Sequence, residues 1–179
     1  MPIRYINDLN VPAAFAKTSF VESLIMRLDD LLNSYVWKVE TWILILVGLL
    51  IGFALITIAR MIDYSEGDLL SSGLLVAAAI YVGFAVVWGE DGWIRFEAVG
   101  VAIFSLLAFL ARRFGILWIG VGWLLHIGWD YLFHMVGAGT HLVPAWYPPF
   151  CIGVDFVIGV YILWSVLRKP KNNSSKAHA

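Results

Sequence analysis

The chain has 179 residues, of which 61% are apolar and 14% charged, with a formal net charge of -1 and a mean hydropathy of +0.83. A soluble domain is about 45–50% apolar and about 25% charged, so this composition excludes an ordinary water-soluble globule and assigns a multispanning membrane protein. Near-neutral charge without a Lys/Arg-rich block argues against nucleic acid as a partner, and the lone Cys151 excludes an intrachain disulfide or a cysteine-built metal cluster.

The first 41 residues precede any long apolar run. Within them Val21, Leu24, Ile25, Leu28, Leu31, Leu32 and Tyr35 repeat at the spacing of one helical face, which predicts an amphipathic helix over 19–37. Ser19 and Glu22 read as its capping box. Glu22, Asp29 and Asp30 against Arg27 leave it without the basic face that draws a helix onto anionic lipid. Its expected role is docking, onto the bundle or onto a protein partner.

Five spans follow, at 42–60, 69–89, 93–111, 114–136 and 150–167. The run from Trp42 to Ala59 carries no charge and ends at Arg60; at ~1.5 Å per residue it reaches about 27 Å, close to the hydrocarbon thickness of a bilayer. It starts too late and runs too long for a signal-peptide core, so it is expected to be retained. Gly48-x-x-x-Gly52 within it is a helix-contact pattern. The second span closes on the turn signal Glu90-Asp91-Gly92. The third extends through Arg95 and Glu97 and stops at Arg112-Arg113. The fourth is apolar apart from His126, Asp130 and His134, and the fifth apart from Asp155. Residues 168–179 form a polar tail, expected to be disordered. The fold class is therefore all-α integral membrane, five transmembrane helices preceded by an N-terminal amphipathic helix.

Lys and Arg sort the loops. Arg60, Arg112, Arg113, Arg168, Lys169, Lys171 and Lys176 fall on one side, Lys38 and Arg95 on the other, which places the C-terminus in the cytoplasm and the N-terminus outside a cell membrane. Trp88, Trp93, Trp129 and Trp146 fit an outer aromatic belt.

Ionisable residues inside spans cost roughly 2.5–3.5 kcal/mol each on insertion scales, so they usually face a bundle interior and mark function. His126, Asp130 and His134 follow at four-residue spacing on one helical face. Asp155 enters the next, antiparallel span at matched depth, about 9 Å below the expected outer boundary at ~1.5 Å per residue. Such N/O groups can hold a divalent ion such as zinc. His126 and His134 are separated by ~12 Å of helix rise, too far for one ion, so a mononuclear site takes Asp130 with one histidine and is completed by Asp155, His141 or Glu97. The candidate ligands are Asp130, His134, Asp155 and His141, and the candidate catalytic residues His126, Asp130 and His134. Two readings stand beside the metal site: a hydrogen-bonded network that fixes helix packing, and a proton relay built on histidine between carboxylates. Haem is not expected, because the span histidines share one helix. Retinal is excluded, because no span contains Lys.

The stretch His126-x-x-Trp129-Asp130 with His134, followed by Pro144-Ala-Trp-Tyr-Pro-Pro149 and Cys151-Ile-Gly-Val-Asp155, resembles a poorly characterised group of small bacterial multispanning proteins with an H-x-x-W-D helix and a later Asp. The resemblance covers about the last third of the chain and implies a shared polar site without an activity. A more distant likeness is to the intramembrane zinc hydrolases of the ceramidase and adiponectin-receptor type, which use His and Asp within helices. This chain departs from them in having five expected spans in place of seven and no His-x-x-x-His pair.

Two functions are consistent with this pattern: a metal-assisted hydrolase or lipid-modifying enzyme, and a non-enzymatic membrane subunit that uses the cluster for packing or proton relay. The charge asymmetry is tested by topology. A reporter fused after Ala179 is expected to be active only in its cytoplasm-dependent form, and activity only in the exported form would reverse the orientation.

Overall fold

The computed structural model describes residues 13–62, 66–89 and 91–168. The side chain of Ser19, the turn residue Glu90 and the tail beyond Arg168 lie outside the described residues. Among those described there is no strand: the elements are α1 (Ala13–Met61), α2 (Glu66–Trp88), α3 (Asp91–Phe114), α4 (Leu117–Trp129), a π-helical segment (Asp130–Met135) and α5 (Tyr147–Arg168). Four helices are long and apolar enough to cross a membrane: Trp37–Met61, Glu66–Trp88, Asp91–Phe114 and Tyr147–Arg168.

Two differences from the sequence reading stand out. The helix expected over 19–37 and the span expected from Trp42 lie on one helical stretch, Ala13–Met61, because no Gly or Pro interrupts the chain between them. The region 114–136, expected as one span, is α-helical only over Leu117–Trp129 and turns to π geometry over Asp130–Met135. The Val136 amide there bonds to the Tyr131 carbonyl, five residues back, at 3.1 Å.

The chain divides into two compact units, Met1–Glu40 and Thr41–Ala179. In the first, Leu24, Ile25, Leu28, Leu31 and Leu32 of the apolar stripe are all exposed, and its Val21 and Tyr35 side chains lie outside the described residues.

In the second unit the core gathers Leu74, Phe104, Ile119, Trp123, Ile158 and Ile162 from α2, α3, α4 and α5. The Trp123 indole N–H donates to the Leu70 carbonyl at 3.2 Å, tying α4 to α2. Gly115 makes the α3–α4 turn at φ +114°, a backbone conformation that favours glycine. Pro148 and Pro149 begin α5, inside the helix and not before it as the span limits suggested. They sit in the first turn, whose amides have no intrahelical partner.

Glycine sets how closely α1 and α5 approach. A Cβ on Gly48 would lie 2.1 Å from the Phe150 carbonyl oxygen, and one on Gly153 would lie 2.2 Å from that of Ile45. Both obstacles are backbone, so neither can swing away. Gly83 and Gly128 have nothing within 4 Å of the same position. Gly48→Ala and Gly153→Ala are therefore each expected to cost about 1–3 kcal/mol as overpacking. Gly83→Ala and Gly128→Ala should be neutral or slightly stabilising. Thermal unfolding of the four variants in one detergent checks this.

Candidate functional site

Five ionisable side chains meet at the end of the bundle that carries the 136–146 loop. His126 and Asp130 come from one face of α4 and its π continuation, Asp155 from α5, Glu97 from α3 and His134 from the π segment. All are buried, with 0–3% of their surface exposed. Tyr81 of α2 joins them, 1% exposed. Among the described residues no Lys or Arg is buried, so nothing basic other than imidazole faces three carboxyl groups.

Small residues bring these groups together. Where α4 and α5 cross, a Cβ on Gly120 would meet Ile162 at 2.9 Å and one on Gly159 would meet Leu124 at 2.7 Å. Asp155 lies one turn before Gly159, and that close crossing delivers it to His126: Nδ1 of the imidazole is 2.8 Å from Asp155 Oδ2. The same Nδ1 is 3.6 Å from Asp130 Oδ1. One ligand atom from each of His126, Asp130 and Asp155 falls within 4.8 Å of the other two, the spacing of a group that can hold a metal ion.

His134 goes elsewhere. Its Nε2 is 3.3 Å from Glu97 Oε1, and its ring stacks on Tyr81 with centroids 4.2 Å apart. A straight α-helix would continue the line from His126 through Asp130 to His134; the wider π turn changes the register after Asp130 and carries His134 to the α3 side. Glu97 is itself oriented by the Trp129 indole N–H, which donates to Oε2 at 3.1 Å. Gly100, one turn beyond Glu97, leaves room for that indole, since a Cβ there would lie 2.8 Å from the ring.

The cluster thus has two halves, His126–Asp130–Asp155 and Glu97–His134, with the Tyr81 ring against both imidazoles, 5.8 Å from His126. Leu142 and Val143 of the loop pack with Tyr81, Tyr147 and Cys151 as an apolar cap.

Polar satisfaction is incomplete in one place. Among the described residues, the buried side-chain atoms without a hydrogen-bond partner are Tyr81 Oη, Glu97 Oε1, His126 Nε2, both Asp130 oxygens, both His134 nitrogens and Asp155 Oδ1. Every one belongs to this cluster. Buried polar atoms are nearly always partnered, and an unmet one costs about 1–3 kcal/mol, which makes this cluster the candidate site among the described residues.

Of the residues singled out from sequence, the structure joins His126, Asp130 and Asp155, sets His134 with Glu97, and leaves His141 apart. His141 is exposed and meets the edge of Trp93, with ring centroids 6.2 Å apart. Tyr81 was not anticipated, since a tyrosine within an apolar span gives no spacing signal. Trp129 was read as belt, and its partner Glu97 lies 32 positions away.

DUF6010, a family of unknown function, matches residues 43–167, well over half of the chain and all of the cluster. No curated protein and no solved structure matches the chain.

Proposed function

The chain belongs to the DUF6010 family, and on that premise we propose that it is a membrane-embedded, metal-assisted enzyme of the hydrolase or lipid-modifying class, with His126, Asp130 and Asp155 as ligands of one divalent ion such as zinc. The observation that carries this reading is the convergence of one ligand atom each from the buried His126, Asp130 and Asp155 within 4.8 Å of one another.

The donor set supports a catalytic rather than a closed structural site. Ligands of one such ion would stand roughly 3.3–3.6 Å apart; His126 Nδ1 and Asp130 Oδ1 are 3.6 Å apart, and Asp155 Oδ2, hydrogen-bonded to the same nitrogen at 2.8 Å, would have to draw back to ligate. Three protein ligands leave a position for water or substrate. Two carboxylates balance a divalent charge, which lowers the cost of burying either partner. A bound ion would supply Lewis acidity toward a carbonyl and bring water to a usable acidity near neutral pH. His134 takes the acid/base role, accepting or returning a proton, and Glu97, 3.3 Å from its Nε2, orients it. Trp129 acts one layer further out by orienting Glu97.

In this reading α4 and its π continuation make the fifth crossing, 19 contiguous helical residues from Leu117 to Met135. The Lys/Arg distribution supports a cytoplasmic C-terminus and a cluster in the outer half of a cell membrane. The exposed Leu24, Leu28 and Leu31 support a protein-docking role for the N-terminal helix.

Metal analysis decides between enzyme and scaffold. Carefully prepared wild type and His134→Gln should each hold one metal ion per chain, while Asp130→Asn and Asp155→Asn lose most of it, because the amide keeps the shape but not the charge. Packing glue predicts no metal in any of them and a stability change of only ~0.6 kcal/mol for Asp130→Asn. Metal stoichiometry and thermal stability measured together in one detergent separate the outcomes.

A further inference from the structure

A cavity of about 520 Å³ lies beside the cluster, between α1, α2 and α5 with Trp123 of α4 at its base, and Asp155 is among its walls. It falls within the roughly 300–1,000 Å³ of small-molecule pockets. Its lining is hydrocarbon except near the cluster, where Tyr147, Cys151 and Asp155 lie, and at Ser72. The Ser72 hydroxyl donates to the carbonyl of Asp68 in its own helix and is taken up there.

The shape is a slot. On α1 the lining runs from Ile51 to Ile62 and on α2 from Leu69 to Ile80. Each wall therefore extends about 16 Å at ~1.5 Å per residue. Ile51 and Ile80 mark the end level with the cluster, since Gly52 abuts Val154 next to Asp155, and Tyr81 belongs to the cluster itself. The other end lies at the α1–α2 turn. The walls are long enough to hold one flexible hydrocarbon chain along their length. The rim is open sideways: Val76 is 59% and Leu55 40% exposed, whereas Leu70, Trp123 and Ile158 on the floor are at most 3% exposed. In a bilayer, whatever enters does so laterally from the lipid phase.

At the cluster end, Asp155 is 1% exposed and its Oδ1 has no partner. Among the described residues the buried basic groups there are imidazoles, and of the cluster's carboxyl groups Asp155 lines the cavity. With a divalent ion balanced by Asp130 and Asp155 the centre is electroneutral, and among the described residues no Lys or Arg is buried beside it, so an anionic headgroup would bring in a buried charge that nothing offsets. A neutral ester or amide carbonyl would not.

We propose that this slot binds the aliphatic chain of an uncharged, single-chain acyl lipid, with its carbonyl end at the His126–Asp130–Asp155 cluster and its methyl end toward Ile62 and Leu69. The assignment rests on the enzymatic reading above and names the substrate class for that same centre. The slot supplies chain recognition by apolar burial, and the cluster selects against charged headgroups.

The test uses full-length protein in phosphatidylcholine vesicles with monopalmitoylglycerol carrying a photoreactive diazirine, either next to the carbonyl or near the chain end. The carbonyl-side probe should label Tyr147 and Cys151. The chain-end probe should label the buried floor residues Leu70 and Ile158, which bulk lipid does not reach. Excess unlabelled monopalmitoylglycerol should compete and palmitoyl phosphate should not. Ala77→Phe, or Leu55→Trp from the opposite wall should the first variant misfold, should cut floor labelling at least about tenfold, with lipid-facing Leu106 and Phe109 still labelled and bound metal unchanged. Labels confined to exposed residues, a reversed order along the slot, equal competition by palmitoyl phosphate, or floor labelling indifferent to both wall variants would each overturn the proposal. Labelling needs neither metal nor turnover. Floor labelling without bound metal therefore refutes the metal centre alone, and bound metal without floor labelling refutes the chain site alone.

Discussion

A polar atom sealed inside an apolar bundle must find a partner or pay its desolvation cost, and this constraint organises the second unit of the chain. Glu97, His126, Asp130, His134 and Asp155 are buried together without a single Lys or Arg. Their mutual contacts meet part of the requirement: His126 reaches Asp155, and Trp129 reaches Glu97. The remaining unpartnered atoms lie in one small volume. Each weakens a marginally stable fold, and three of the groups there, His126, Asp130 and Asp155, are spaced so that they could hold a metal ion.

The tightness comes from glycine. Gly48 and Gly153 let α1 and α5 touch backbone to backbone, and Gly120 and Gly159 make room for the Ile162 and Leu124 side chains where α4 meets α5. Between lipid-exposed helices there is little hydrophobic driving force, so close backbone approach and dispersion hold the bundle. That approach also sets the distance from Asp155 to His126. Packing and site geometry are therefore one problem, and a methyl group at a crossing disturbs both.

The π segment separates two roles that regular helix geometry would merge. His126 and His134 flank Asp130 symmetrically in sequence, yet only His126 shares the Asp155 side. The change of register after Asp130 sends the second imidazole to Glu97 on α3. The His126–Asp130–Asp155 group and the Glu97–His134 pair then lie against the same tyrosine ring, with an apolar slot reaching Asp155. Lipid-facing access, a carboxylate-rich end and a capping loop belong to one arrangement.

Composition and uncharged run length were enough to assign a helical membrane protein, because apolar length against bilayer thickness is a one-dimensional property. Four membrane-length helices follow the sequence limits to within a few residues, Trp37–Met61 starting five before Trp42. His126, Asp130 and Asp155 were legible as candidates for a related reason: ionisable residues in apolar runs stand out, and i,i+4 spacing places two of them on one face. Tertiary structure alone decided which histidine joins the carboxylates, that Glu97 and Tyr81 belong to the cluster, that Trp129 turns inward, and that His141 stays exposed. It also revealed the slot. Those outcomes depend on a local π register and on how closely glycines let neighbouring helices approach, and contacts between residues tens of positions apart leave no period in the sequence from which to read them.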